Sequence, residues 1–341
     1  MLMVIFGAGA SYDSDPSRPA GVSAIQALDR LPLANELFDN RQHFAEDLSH
    51  FRDCRPIVPY LRRTDAIEAQ LERLLAEANE KPPYPKRLRQ LASVRWYFQY
   101  LLNGCDRRWS GATHGITNYL TLLDQIARWG NRGVLLVTFN YDRLLEWAVR
   151  DITGASLTRV EDYIASEMFP VIKLHGSVNW GRVLHNPPLT TTDGWLAIKT
   201  AIEKAATLKV SQDYVVSEDR PLWRDASSRY LFPAIAIPVQ SKQQFECPES
   251  HLTFLRDRLP AVRRVLVVGW RGMDGHFVKL LKDTLGAGAV QFQIVSKDAE
   301  DSKTLAKLLS DAGILATFQP LGYSFSEYVT KRAGDEFFRR Q

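Results

Sequence analysis

Three short stretches carry side chains able to do chemistry. In TFNYD, Thr138–Asp142, a carboxamide (Asn140) and a carboxylate (Asp142) come just after the apolar or β-branched run Val134–Thr138. In KLHGS, Lys173–Ser177, His175 comes just after another short apolar run and just before a glycine. In GAGAS, Gly7–Ser11, small residues follow the apolar run Met1–Phe6. Histidine titrates near neutrality and is the commonest general base. Small residues between a strand and a helix let backbone N–H groups approach a phosphate, with a helix N-terminus behind them.

Each stretch also has a plainer reading. Asp142 can cap the helix whose pattern begins at Leu144, Leu145 and Ala148, and a cap residue still stands at a site's rim. Asparagine tolerates left-handed turns, so Asn140 can be a turn residue. A lone histidine such as His175 is often a satisfied structural one, and Ser11 can be a helix cap. The third glycine of GxGxxG is missing from the loop, with Tyr12 in its place, so it does not describe an ordinary dinucleotide dehydrogenase.

The elements that must position these residues are legible around them. Val134–Thr138 is apolar or β-branched throughout, as in a strand buried on both faces. Similar runs occur at Met1–Phe6, Pro170–Lys173, Ala234–Pro238, Arg264–Val268, Val290–Val295 and Gly313–Phe318. Helical patterns alternate with several of them; Asp274, for one, is placed to cap a helix with Phe277, Leu280, Leu281 and Leu285 on one face. Such alternation predicts an α/β fold with a parallel, doubly wound sheet. In these sheets the crevice lies beyond the carboxyl ends of the strands, where Asn140 and His175 are expected to converge. Residues 41–130 read as an inserted helical module, with apolar faces at Ile67, Leu71, Leu74, Leu75 and Ala78, at Leu88, Leu91, Val94, Phe98, Leu101 and Leu102, and within Ile116–Trp129. The sheet-bearing domain is then 1–40 and 131–341. Asp13–Asp39 reads as a long connection, or as a segment able to close over a bound cofactor. Arg182–Arg229 reads as irregular.

Composition narrows the class. A 45% hydrophobic and 24% charged chain of 341 residues is ordinary for a globular protein with a full core. A net charge of +4, without a dense Lys/Arg block, gives no indication of direct nucleic-acid binding. Cys54, Cys105 and Cys247 are scattered and form no CxxC pair, so neither a zinc ribbon nor a disulfide framework is expected. The start imitates a secretion signal but lacks a basic region before its short apolar run. No run reaches the ~20 apolar residues of a membrane span. The expectation is a cytoplasmic protein that does not enter a membrane.

Four blocks in order, GAGAS at Gly7–Ser11, TFNYD at Thr138–Asp142, KLHGS at Lys173–Ser177 and VVGW at Val267–Trp270, resemble the sirtuin-like family, in particular its prokaryotic branch of antiphage-defence NAD hydrolases. The resemblance covers most of the chain and implies a Rossmann-like fold with NAD+ as substrate. It matches Asn140 and His175 to the catalytic pair, and Gly7, Ala8, Gly9, Ala10 and Ser11 to the loop holding the pyrophosphate. Asp142 falls beside the nicotinamide end, Gly269 and Trp270 around the adenosine half, and Ser296 near its ribose. Ala34–Phe38 is similar to this branch's cofactor-side segment. The two zinc-binding CxxC pairs of protein-deacylating sirtuins are absent, and TFNYD replaces their TQNID, which points away from a lysine deacylase. Arg271 stands where the branch often has serine. The resemblance therefore implies NAD+ hydrolysis without zinc. The alternatives are a non-catalytic NAD or ADP-ribose sensor and a protein ADP-ribosyltransferase or deacylase. Control is expected from a homo-oligomer or a separate partner such as a HerA-type ATPase or an Argonaute-type protein. Ser326–Gln341 is a candidate contact segment, with a helix packed on its own domain as the plainer reading.

Overall fold

The computed structural model describes the chain except residues 18–29, 63–66, 81–83, 131–132, 188, 240–244, 286–288 and 340–341. Much of the expected closing segment, and the last two residues of the candidate contact segment Ser326–Gln341, therefore lie outside the described residues. The chain forms two compact units, Met1–Leu31 with Asp106–Leu174 and Glu249–Gln341, and Pro32–Cys105 with His175–Pro248. Residues 41–130, which read as one helical stretch, are thus shared between them.

Nine strands are described: β1 (Leu2–Phe6), β2 (Leu135–Thr138), β3 (Val171–Lys173), β4 (Gly176–Leu184), β5 (Val210–Val216), β6 (Leu231–Ile235), β7 (Arg264–Val268), β8 (Val290–Ser296) and β9 (Ala316–Gly322). The first unit is built on a six-stranded sheet in the order β3-β2-β1-β7-β8-β9, every neighbouring pair parallel. Counted within this sheet alone, the order is 3-2-1-4-5-6, that of a doubly wound Rossmann-like fold. The winding reverses between β1 and β7. All five residues of β1, LMVIF, are buried, as a central strand covered on both faces requires. Each such side chain contributes about 1.5–3 kcal/mol relative to exposure. At the far edge β9 alternates between partly buried and exposed residues and carries Pro320, a residue that edge strands tolerate.

Helices fill the crossovers. Thr117 caps Asn118–Arg128 through its side chain, and Gly154, at φ +72°, closes Leu144–Thr153. Leu144, Leu145, Ala148 and Val149 form the buried stripe of the latter. The C-terminal helices Phe325–Thr330 and Asp335–Phe338 bury Tyr328, Val329 and Phe338, so this segment packs into its own unit.

The second unit corrects two sequence expectations. Arg182–Arg229 is not irregular: it holds the end of β4, a helix at Gly194–Glu203 capped by Asp193, and β5. The run at Ala234–Pro238 does not join the parallel sheet. Its first residues close β6, which pairs antiparallel with β4 in a separate sheet ordered β5-β4-β6. β4 is nearly all buried, whereas β5, VSQDYVV, is half polar and gains its partner from across the intervening helix. Val183, Leu222 and Leu231 form a core on this sheet. Within the same unit the Gln99 side chain donates to the Val178 carbonyl at 2.8 Å and accepts from the Leu222 N–H at 3.1 Å. Trp96 donates to the Leu222 carbonyl.

Candidate functional site

At the point where the winding reverses, the ends of β1 and β7 interlock. Gly7 N–H donates to the Val268 carbonyl at 3.0 Å, and Gly9 N–H to the Gly269 carbonyl at 3.2 Å. A Cβ on Gly7 would lie 2.5 Å from the Gly269 carbonyl oxygen and from Trp270 Cα. Gly269 has φ +63°, and a Cβ there would collide with the backbone of Gly9 and Ala10. Glycine at both positions lets two backbones touch. The amides of Gly7, Gly9 and Ala10 are consequently engaged with carbonyls, which leaves Ala8 as the exposed residue of the loop. The helix behind it, Ala8–Tyr12, is a single short turn.

Asn140 joins this junction from the end of β2. Its Nδ2 lies 2.9 Å from the Gly7 carbonyl, 2.9 Å from Ser11 Oγ and 3.0 Å from Tyr119 Oη. The Ser11 and Tyr119 hydroxyls are hydrogen-bonded to each other at 2.8 Å. The Gly7 carbonyl can only accept, so it requires the NH2 of the carboxamide and fixes which end is oxygen. Among the described residues no hydrogen bond reaches Asn140 Oδ1. The backbone N–H of Asn140 is held by Thr138 Oγ1 at 3.1 Å. Burial, reinforced by the charge of Asp142, holds the Tyr119 phenol well above its ordinary range, so it stays protonated.

Asp142 is buried beside a charged cluster. Its Oδ1 accepts from Leu144 N–H at 3.2 Å, a hold on the helix start of the kind read from the sequence. Lys173, from β3, donates to the Asp142 carbonyl and pairs with Glu146 at 2.7 Å. Beside them Arg143 pairs with Asp106 at 2.8 Å, both nearly inaccessible. Burial pushes the Asp106 carboxyl up to about 7 against the opposing pull of Arg143. Burial likewise raises Glu146, with Lys173 opposing. Lys173 thus ties the KLHGS block to the TFNYD block.

Trp270 is buried with its ring stacked on Phe139, centroids 5.3 Å apart and planes 2° from parallel. Its indole N–H donates to Asp274 Oδ2 at 2.8 Å. Asp274 does precede the Gly275–Thr284 helix, but its side chain serves Trp270 rather than the helix N–H groups. Ser296 ends β8, next to β7, whose neighbour Gly269 donates its N–H to the Val295 carbonyl. His175 opens the second unit, buried, with its carbonyl accepting from Ala236 N–H at 3.0 Å. The turn after it needs Gly176, whose φ is +80° and whose Cβ would overlap the Ala234 carbonyl oxygen.

Gly7, Gly9, Ala10, Ser11, Asn140, Gly269 and Trp270 therefore come together in the first unit, with Asp142 and Ser296 at neighbouring strand ends. Tyr119 lies in an apolar helical stripe and reads as core from the sequence, yet it joins this junction. Lys173, Glu146, Asp106 and Arg143 are equally silent in the sequence, because their partners come from other elements. Among the described residues, no group of three or more His, Cys, Asp or Glu side chains is placed to hold a metal ion. Among them, too, no helix is long and apolar enough to cross a membrane.

A parallel sheet with this strand order and glycine junction defines a Rossmann-like α/β protein. A family model described as SIR2-like domain matches residues 134–317, more than half of the chain, and the chain belongs to that family. Similar solved structures include a mutant Sir2 homologue in complex with ADP-ribose (14% identity, 99% of this chain and 90% of that chain, TM-score 0.45). A Sir2 homologue–NAD complex matches at 16% identity over 99% and 88%, TM-score 0.40. A structure concerning sirtuin substrate affinity matches at 14% over 98% and 94%, TM-score 0.33. No curated protein matches the chain.

Proposed function

We propose that this chain hydrolyses NAD+ to nicotinamide and ADP-ribose. Membership of the SIR2-like family supports NAD+ as the substrate class. The observation that carries the reading is Asn140: its NH2 is anchored where the sheet reverses, and its oxygen takes no hydrogen bond among the described residues. A fixed acceptor beyond the carboxyl ends of parallel strands suits a ribose hydroxyl or an attacking water.

In the proposed reaction the bond from ribose C1 to the pyridinium nitrogen breaks, and its electron pair returns to the ring, releasing neutral nicotinamide. A water oxygen bonds to C1 and its proton passes to His175, then to solvent. The barrier lies mainly in stabilising an oxocarbenium-like sugar. On the Gly7–Ser11 loop Ala8 would meet the pyrophosphate, with Asp142 at the nicotinamide end and Gly269, Trp270 and Ser296 around the adenosine half. No step requires zinc. Depletion of NAD+ in antiphage defence, in the cytoplasm and under control of self-assembly or a separate partner, completes the proposal.

The test is NAD+ consumption by the purified protein, alone and with products of neighbouring genes. Nicotinamide and ADP-ribose should form with wild type and not with His175→Ala or Asn140→Ala, since positioned proton transfer contributes about 10²–10⁴-fold. Turnover by a folded double variant would refute these roles. Binding of NAD+ or ADP-ribose without turnover in any mixture would favour a sensor. Turnover only with a protein acceptor would favour a transferase.

A further inference from the structure

We infer that Tyr119 is a positioning residue for the carboxamide of Asn140, acting with Ser11. This rests on the hydrolase reading above for its kinetic test, but the geometry stands on its own. Tyr119 lies in the first turn of Asn118–Arg128, buried, its ring packed 5.0 Å from that of Phe6 and 5.5 Å from that of Phe325. A phenol placed so deeply carries a desolvation cost unless its hydroxyl is satisfied. Among the described residues it is satisfied by Ser11 Oγ and Asn140 Nδ2 alone.

Counting hydrogens shows what the arrangement does. The carboxamide brings two and each hydroxyl brings one. The Gly7 carbonyl takes the first amide hydrogen. The second points between Ser11 Oγ and Tyr119 Oη, and the hydroxyls bridge one another, so either can accept from Asn140 while donating to its neighbour. The Gly7 carbonyl thus decides which end of the carboxamide is nitrogen. The hydroxyl pair fixes the plane, and with it the direction of Oδ1. Because the two hydroxyls are interchangeable acceptors, loss of one is partly covered by the other.

The experiment compares wild type, Tyr119→Phe, Ser11→Ala and the double variant. Phenylalanine keeps the ring packing and removes only the hydroxyl. NAD+ turnover should show kcat down about three- to tenfold for Tyr119→Phe, the effect of one neutral hydrogen bond, with KM within about twofold. The double variant should lose more than the product of the single losses. The second readout needs no activity: with ¹⁵N-asparagine labelling, the carboxamide signal of Asn140, assigned by its loss in Asn140→Ala, should shift and exchange faster in Tyr119→Phe. Unchanged kcat in Tyr119→Phe, or a loss confined to KM, would overturn the inference, as would an unmoved carboxamide signal. If wild type shows no NAD+ turnover, the hydrolase reading fails and the carboxamide signal alone decides the role of Tyr119.

Discussion

Lys173 on β3 and Glu146 on the helix after β2 form an ion pair of 2.7 Å, both side chains withdrawn from solvent. The same ammonium reaches the Asp142 carbonyl, so one cation joins two strand ends and the following helix. Charges this deep cost several kcal/mol to desolvate, and are tolerated because they are paired. Removing one partner is therefore much worse than removing both. Lys173→Met should cost about 3–5 kcal/mol in chemical denaturation, and Lys173→Met with Glu146→Gln should recover a large part. Equal losses for the single and double variants would show that the pair is not what holds this corner.

Asp106 gives a pH signature. Its folded carboxyl is raised by burial from the ordinary 3.8 to about 7, despite Arg143. The folded state then holds a proton that the unfolded chain releases, so the stability from this group is complete below about pH 4 and is lost as pH rises toward 7. Asp106→Asn should flatten the fall in unfolding free energy across that window, measured by denaturant titration at several pH values. An unchanged slope would remove Asp106 as its source.

The glycine junction should be intolerant of any side chain. Gly7→Ala places a methyl group against backbone atoms of Gly269 and Trp270, which cannot swing aside. Gly269→Ala adds a left-handed backbone strain to a similar collision. Each should destabilise by about 1–3 kcal/mol, with Gly269→Ala the more severe, as read by thermal unfolding. An alanine accepted at either position would mean that the two turns can separate.

Asn140→Asp tests the carboxamide's orientation chemically. The replacement sets a carboxyl oxygen against the Gly7 carbonyl, where a donor is required. Only the protonated acid can serve, so the variant should be less stable than wild type and should lose further stability as pH rises through the carboxyl range. NAD+ turnover should be lost with it. A variant with wild-type stability at pH 8 would show that Gly7 does not hold the amide.

The seat of His175 has its own test. Gly176→Ala would drive a Cβ into the Ala234 carbonyl oxygen from an already left-handed backbone. The expected cost exceeds about 3 kcal/mol, visible as loss of folded protein by circular dichroism. Normal folding of this variant would show that the turn opening β4 can be rebuilt.

The parallel sheet is legible in the sequence because LMVIF, LLVT and RVLVV are buried on both faces and are apolar at nearly every position. The glycine turns and the polar strand ends at Asn140 and Asp142 are legible for the same reason: each interrupts an otherwise unbroken apolar run. The second sheet is not. β5 sets Ser211, Gln212 and Asp213 in a row among its valines, with no clean alternation, and its partner β4 lies outside any local pattern. Pairing between distant strands leaves little trace in either one.

The site divides in the same way. Candidates for chemistry are written in their types and their places at strand ends, although such a residue can also serve structure, as Asp142 does in accepting from Leu144 N–H. Which residues hold them is decided only by the tertiary structure. Tyr119 looks like one more aromatic in a helical stripe, and Lys173 like a charge in a short strand, until Asn140 and Glu146 arrive beside them from other elements. A side chain's apolar or polar character is local, but a hydrogen bond between elements needs both ends in place, and only the packed fold supplies the second.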